Sequence, residues 1–110
     1  MEIKNADHEG VRIVSISGEV DLSTSPKVRD VLLECILGGA DVVVDLSQVA
    51  YIDSSGVASL VEAFQNAKSR GSNFALAQVG ETPMRVLQLA RLDQVFIIHD
   101  TADAAVTDFA

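Results

Sequence analysis

Residues 42–57 read Val42-Val43-Val44-Asp45-Leu46-Ser47-Gln48-Val49-Ala50-Tyr51-Ile52-Asp53-Ser54-Ser55-Gly56-Val57. This stretch decides the fold class. Apolar residues on successive positions from Val42 to Val44, and again at Leu46, describe a strand covered on both faces. Such strands belong to parallel sheets. Ser47 to Asp53 reads as a short connection, and a helix is expected to begin near Ser54-Ser55-Gly56. Val57, Leu60, Val61 and Phe64 then recur at helical spacing. Glu62, Gln65, Asn66, Lys68 and Ser69 fill the wet side. Lys68 and Arg70 suit the negative C-terminal end of that helix, and Gly71 stops it.

Working outward, the same alternation recurs. Upstream, Val11-Arg12-Ile13-Val14-Ser15-Ile16-Ser17 is β-branched and stops at Gly18, which predicts a strand. A brief extended piece, Glu19-Val20-Asp21, follows. Ser23-Thr24-Ser25-Pro26 signals a helix start, with a cap hydroxyl before a proline at the first helical position. Val28, Val31, Leu32, Cys35 and Ile36 share one face of that helix, and Gly38-Gly39 ends it. Downstream, residues 74–79 predict a strand. Thr82-Pro83 starts a helix carrying Met84, Val86, Leu87, Leu89, Ala90 and Leu92, apolar around much of its circumference. Residues 95–98 predict a last strand, and Thr101 caps a weak helix over 102–109. Strands alternating with helices imply an α/β fold: one domain over residues 1–110, with a central, mostly parallel mixed sheet of about four to five strands flanked by about four helices. The opening strand is the candidate for antiparallel pairing at one edge.

Composition narrows the function. The 110 residues suit one domain, and 48% of them are apolar, enough to build a core. Sixteen acidic residues oppose eight basic ones, for a formal charge of −8. A nucleic-acid binder needs a positive footprint for phosphates, and anionic membrane surfaces make the same demand. Neither partner is expected. No apolar run approaches the roughly 20 residues of a membrane span. Met1-Glu2-Ile3-Lys4-Asn5 lacks the features of a signal peptide, and one cysteine cannot form an internal disulfide. A cytoplasmic protein is expected.

Most common chemistries find no footing. His8 and His99 are far apart and have no second cysteine, so no zinc site is expected. Cys35, on an apolar helix face, reads as a buried structural thiol without a partner base. There is no phosphate-cradling glycine loop, and no cofactor is expected. Glu19, Asp21, Asp45 and Asp53 fall near strand ends, where carboxylates can bind Mg²⁺ in aspartate-phosphorylated receiver domains. That plan also wants an acidic pair after the first strand and a lysine after the last. This chain has one glutamate after Gly18 and no lysine beyond Lys68. Solvated loop carboxylates are the simpler reading. By chemistry alone, Asp53 or Ser54 caps a helix.

Gly18-Glu19-Val20-Asp21, Ser25-Pro26, the Val42–Leu46 strand and Ile52-Asp53-Ser54-Ser55-Gly56-Val57 together resemble the STAS domain family, and within it the bacterial anti-sigma factor antagonists. The likeness runs over essentially the whole chain, and Asp-Ser-Ser-Gly is its specific part. The resemblance implies a non-enzymatic partner-switching protein. In that family the serine after the aspartate, here Ser54, is phosphorylated by an anti-sigma factor that is also a serine kinase of histidine-kinase-like ATPase fold. A PP2C-type phosphatase resets it. Asp53, Ser55 and Gly56 complete the motif, and Asp21, Ser23 and Thr24 are expected to flank the partner surface. A phosphate at Ser54 is expected to sit easily within the domain, because free N–H groups and the helix dipole favour an anion there. A second possibility from the same resemblance is an unphosphorylated subunit of a phospholipid-transport ABC complex, docked on its ATPase. Direct nucleotide binding at the Asp-Ser-Ser-Gly loop is a weaker third, since few basic residues are nearby.

Overall fold

The computed structural model describes residues 1–110. Two strands open the chain, β1 (Glu2–His8) and β2 (Val11–Val20). They form an antiparallel hairpin across Glu9-Gly10, whose φ values of 54° and 85° suit a two-residue primed turn. Then come α1 (Ser25–Leu37), β3 (Asp41–Ile52), α2 (Ser54–Ser69), β4 (Phe74–Ala77) and α3 (Glu81–Leu89). A 3₁₀ turn (Leu92–Gln94), β5 (Ile98–His99) and α4 (Ala102–Phe109) complete the chain. The sheet order is β1-β2-β3-β4-β5, with every pair after the hairpin parallel.

The alternation of Val42, Val43 and Val44 divides the core between the two faces of the sheet. Val42 and Val44 join Val14, Ile16, Leu32, Ile36, Leu60, Leu76 and Leu87 under α1, α2 and α3. Val43 faces the other way, with Val11, Ala75, Ala77, Ala105 and Val106, where α4 is the cover. Phe64 of α2 packs edge-on against Phe74 and Phe96, with ring centroids 6.2 and 5.5 Å apart. Cys35 is buried, and its Sγ accepts a hydrogen bond from Asn5 Nδ2 at 3.2 Å.

Several boundaries differ from the sequence reading, each for a physical reason. β1 was not expected. All its residues but Ile3 are exposed, so its strand state comes from pairing along β2 and not from its own apolar pattern. The strand beginning at Val11 is therefore internal, and β1 is the antiparallel edge. That strand also continues through Gly18, at φ +95°, to Val20. The segment 47–53 is not a connection: β3 runs on to Ile52. Its core residues Leu46, Val49 and Ile52 are three apart, which breaks the alternation of a plain strand. Two register shifts explain this. From the pair Ser15–Asp45 to the pair Val20–Ile52, β2 takes five steps and β3 takes seven. The bulged residues rotate the strand so that inward positions fall three apart.

β4 ends at Ala77, β5 is only two residues long, and Val95 and Ile97 are exposed. The third helix stops at Leu89. Leu87 is buried while Leu89 is 83% exposed, so the apolar circumference reflects one buried row and one residue in water.

Candidate functional site

At the end of β2, Asp21 closes a turn onto itself. Its Oδ1 accepts the Ser23 amide at 3.0 Å, the Ser23 hydroxyl at 2.7 Å and the Thr24 amide at 3.2 Å. Thr24 Oγ1 in turn donates to the Glu19 carbonyl at 3.0 Å. The expected hydroxyl cap is thus displaced. α1 begins at Ser25 with Pro26 in its first turn, and Thr24, at the cap position, makes no side-chain cap bond.

At the end of β3, Asp53 builds the same turn. Its Oδ1 accepts the Ser55 amide at 2.9 Å, the Ser55 hydroxyl at 2.6 Å and the Gly56 amide at 3.1 Å. Its backbone is extended at φ −104° and ψ −173°, and it is the N-cap of α2. Val20 pairs with Ile52, and the Asp53 amide donates to the Val20 carbonyl at 3.1 Å. The two turns therefore leave adjacent parallel strands at matching heights. Ser59 ties their helices together: its buried hydroxyl lies 3.2 Å from the Ser25 carbonyl and 3.1 Å from that of Ser55.

Both carboxyls titrate below the usual carboxylate range. For Asp21 the main cause is the Ser23 hydroxyl, opposed by partial desolvation. For Asp53 it is the Ser55 hydroxyl and then the Gly56 amide, with nearby Asp21 pushing weakly the other way. Both aspartates are anionic at neutral pH. No cation pairs with either of them or with Glu19.

Ser54 is the first residue of α2 and is exposed, and its hydroxyl takes no part in the bonds that hold the turn. Gly56 is buried beneath it. A Cβ there would lie 2.6 Å from Ile52 Cγ1 and 2.8 Å from Val20 Cγ1, so only glycine lets α2 seat on the strand ends. One expectation is corrected. The Ser55 and Gly56 amides are not free to receive a phosphate, because Asp53 already occupies both. Ser54 itself is exposed and directly follows the Asp53 carboxylate.

Of the expected site residues, Asp21, Ser23, Thr24, Asp53, Ser54, Ser55 and Gly56 all lie just beyond the C-terminal ends of β2 and β3. Asp45 is set apart, its Oδ1 accepting the Ser47 amide at 2.9 Å within the bulge. The sequence reading passed over Leu22, which stands 78% exposed on the first turn. The signal was present: Val20-Asp21-Leu22-Ser23 repeats the pattern of Ile52-Asp53-Ser54-Ser55. No helix is long and apolar enough to cross a membrane.

Comparison with known proteins gives a consistent picture. The STAS domain model matches residues 2–105. The chain is 30% identical to the anti-sigma-B factor antagonist of Listeria monocytogenes over 91% of this chain and 88% of that protein. It is 30% identical to the anti-sigma-F factor antagonist RsfB of Mycobacterium tuberculosis, over 93% of this chain and 84% of the relative. The crystal structure of an anti-sigma factor antagonist from Mycobacterium paratuberculosis superposes with a TM-score of 0.90 at 28% identity, covering 98% of this chain and 92% of that one.

Proposed function

The chain belongs to the STAS domain family, and from that premise we propose that it is a cytoplasmic anti-sigma factor antagonist acting by partner switching. Unphosphorylated, it binds an anti-sigma factor and so releases a sigma factor. The anti-sigma factor, a serine kinase that brings its own ATP and Mg²⁺, moves the γ-phosphoryl group to Ser54 Oγ. The hydroxyl proton is lost and ADP is released. A PP2C-type phosphatase hydrolyses the ester and resets the cycle. The protein itself catalyses nothing.

The observation that carries this reading is the state of Ser54: exposed, at the head of α2, with a hydroxyl not used by the fold. Its neighbour Ser55 bonds to Asp53 and is not equally available. A phosphoserine adds about −1.5 to −2 charge. Because Asp53 already accepts the Ser55 and Gly56 amides, that charge finds two of the first-turn donors taken, and the fold has little reason to rearrange. The cost falls on the complex, where a partner surface would have to desolvate a dianion beside Asp53 and Asp21. The phospholipid-transport reading gives Ser54 no role.

Calorimetry of the protein with the anti-sigma factor of the same organism tests this. Binding without ATP, and dissociation once ATP is added and turned over, are expected. Binding unaffected by turnover would contradict the partner-switching cycle.

A further inference from the structure

We propose that Leu22 is the apolar anchor of the partner-docking surface, seated in an apolar, basic-rimmed pocket of the anti-sigma factor next to Ser54. The inference rests on the functional reading above and adds the residue and the partner chemistry. A single exposed leucine is commonplace on a protein surface. Leu22 is set apart by how it is held.

Asp21 and Asp53 make the same three bonds to residues two and three positions on. Leu22 therefore occupies in the β2 turn the place Ser54 occupies in the β3 turn. The turns spring from paired residues of adjacent parallel strands, Val20 and Ile52. Both turns are pinned further, by Thr24 to the Glu19 carbonyl and by Asp53 to the Val20 carbonyl. Leu22 and Ser54 are thus presented together, and little freedom is lost when a partner closes over them.

Turn positions of this kind usually carry polar residues, and nothing in the domain needs a leucine here, since 78% of it is in water. The surroundings state the partner's chemistry. Glu19, Asp21 and Asp53 border the pair and no cation neutralises them. A partner must offer apolar depth for Leu22 and positive charge around it. Closing such a pocket over Leu22 excludes water from the neighbouring Ser54, which is what makes a phosphate there intolerable.

The test measures affinity of the unphosphorylated protein for the purified anti-sigma factor of the same organism. Leu22→Ala is expected to weaken binding about tenfold, the scale of an isobutyl group returned to water. Leu22→Asp is expected to weaken it further, with melting temperatures of both variants within a degree or so of the parent's. Leu89→Ala, at an exposed leucine that ends α3, is the control and should bind as the parent does. Binding by Leu22→Ala within twofold of the parent would overturn the proposal. So would a parent dimer that Leu22→Ala dissociates, because the occupant would then be a second copy of this chain. Failure to find phosphate on Ser54 would overturn the functional reading instead, and leaves the affinity comparison at Leu22 to be decided on its own result.

Discussion

Gly56 lies so close over Val20 that a Cβ on it would stand 2.8 Å from Cγ1 of Val20. Val20 is 1% exposed, and Ile52, whose Cγ1 would stand closer still at 2.6 Å, is 2% exposed. Both are β-branched, with few rotamers to retreat into. Gly56→Ala gains about 1 kcal/mol of helix propensity and incurs about 1–3 kcal/mol of overpacking. Overpacking is expected to win, because the clash is with two buried side chains at once. A melting temperature a few degrees below the parent's in thermal denaturation is the expected outcome, with slower phosphorylation as the head of α2 shifts.

Ser54 separates fold from function. Its hydroxyl bonds to nothing in the domain, so Ser54→Ala is expected to melt like the parent and to bind the anti-sigma factor at least as tightly. Ser54→Asp should also fold normally but bind at least tenfold more weakly, since it places a charge where the complex excludes water. Ser55→Ala is expected to behave oppositely. It loses the 2.6 Å bond to Asp53 and lowers stability by about 1 kcal/mol, with Ser54 still phosphorylated.

The titration of Asp53 and Asp21 gives a prediction with a definite sign. Their folded-state carboxyls lie below the ordinary value, held there first by the Ser55 and Ser23 hydroxyls. Their stabilising contribution is complete above the unfolded carboxylate value of about 4. It is lost as pH falls through the lower folded value. Denaturant titrations at pH 3 and pH 7 should show a smaller loss of stability on acidification for Asp53→Asn than for the parent. Equal losses would remove Asp53 from the acid response.

Ser59 joins the two halves of the site. Ser59→Ala deletes its contacts with the Ser25 and Ser55 carbonyls in a buried setting. A loss of about 0.5–1.5 kcal/mol is expected by chemical denaturation, together with a change in the amide spectra of both turns. A change confined to α2 would mean that the Ser25 contact does not couple them.

Much of this was legible in the residues. The run Val42-Val43-Val44 showed a strand with two buried faces, and the stripe from Val57 to Phe64 showed the helix after it. A cap at Asp53 or Ser54 followed from residue type, and the structure gives it to Asp53. What was hidden depended on partners distant in the chain. β1 has no apolar pattern of its own and is a strand because Ile3 and its neighbours pair with β2. The continuation of β3 was masked by bulges that turn a period of two into a spacing of three. The close contact of Gly56 with Val20 involves residues 36 positions apart. Leu22 was overlooked because an exposed leucine looks like nothing until its turn is compared with that of Asp53.

On the proposed function, Ser54 is the residue a kinase modifies. Incubation with the organism's anti-sigma factor and ATP, followed by peptide mapping with mass spectrometry, tests it most directly. A single phosphate on Ser54 in the parent and none in Ser54→Ala is the expected result. Phosphate on Ser55, Ser23 or any other residue, or transfer that persists in Ser54→Ala, would contradict it.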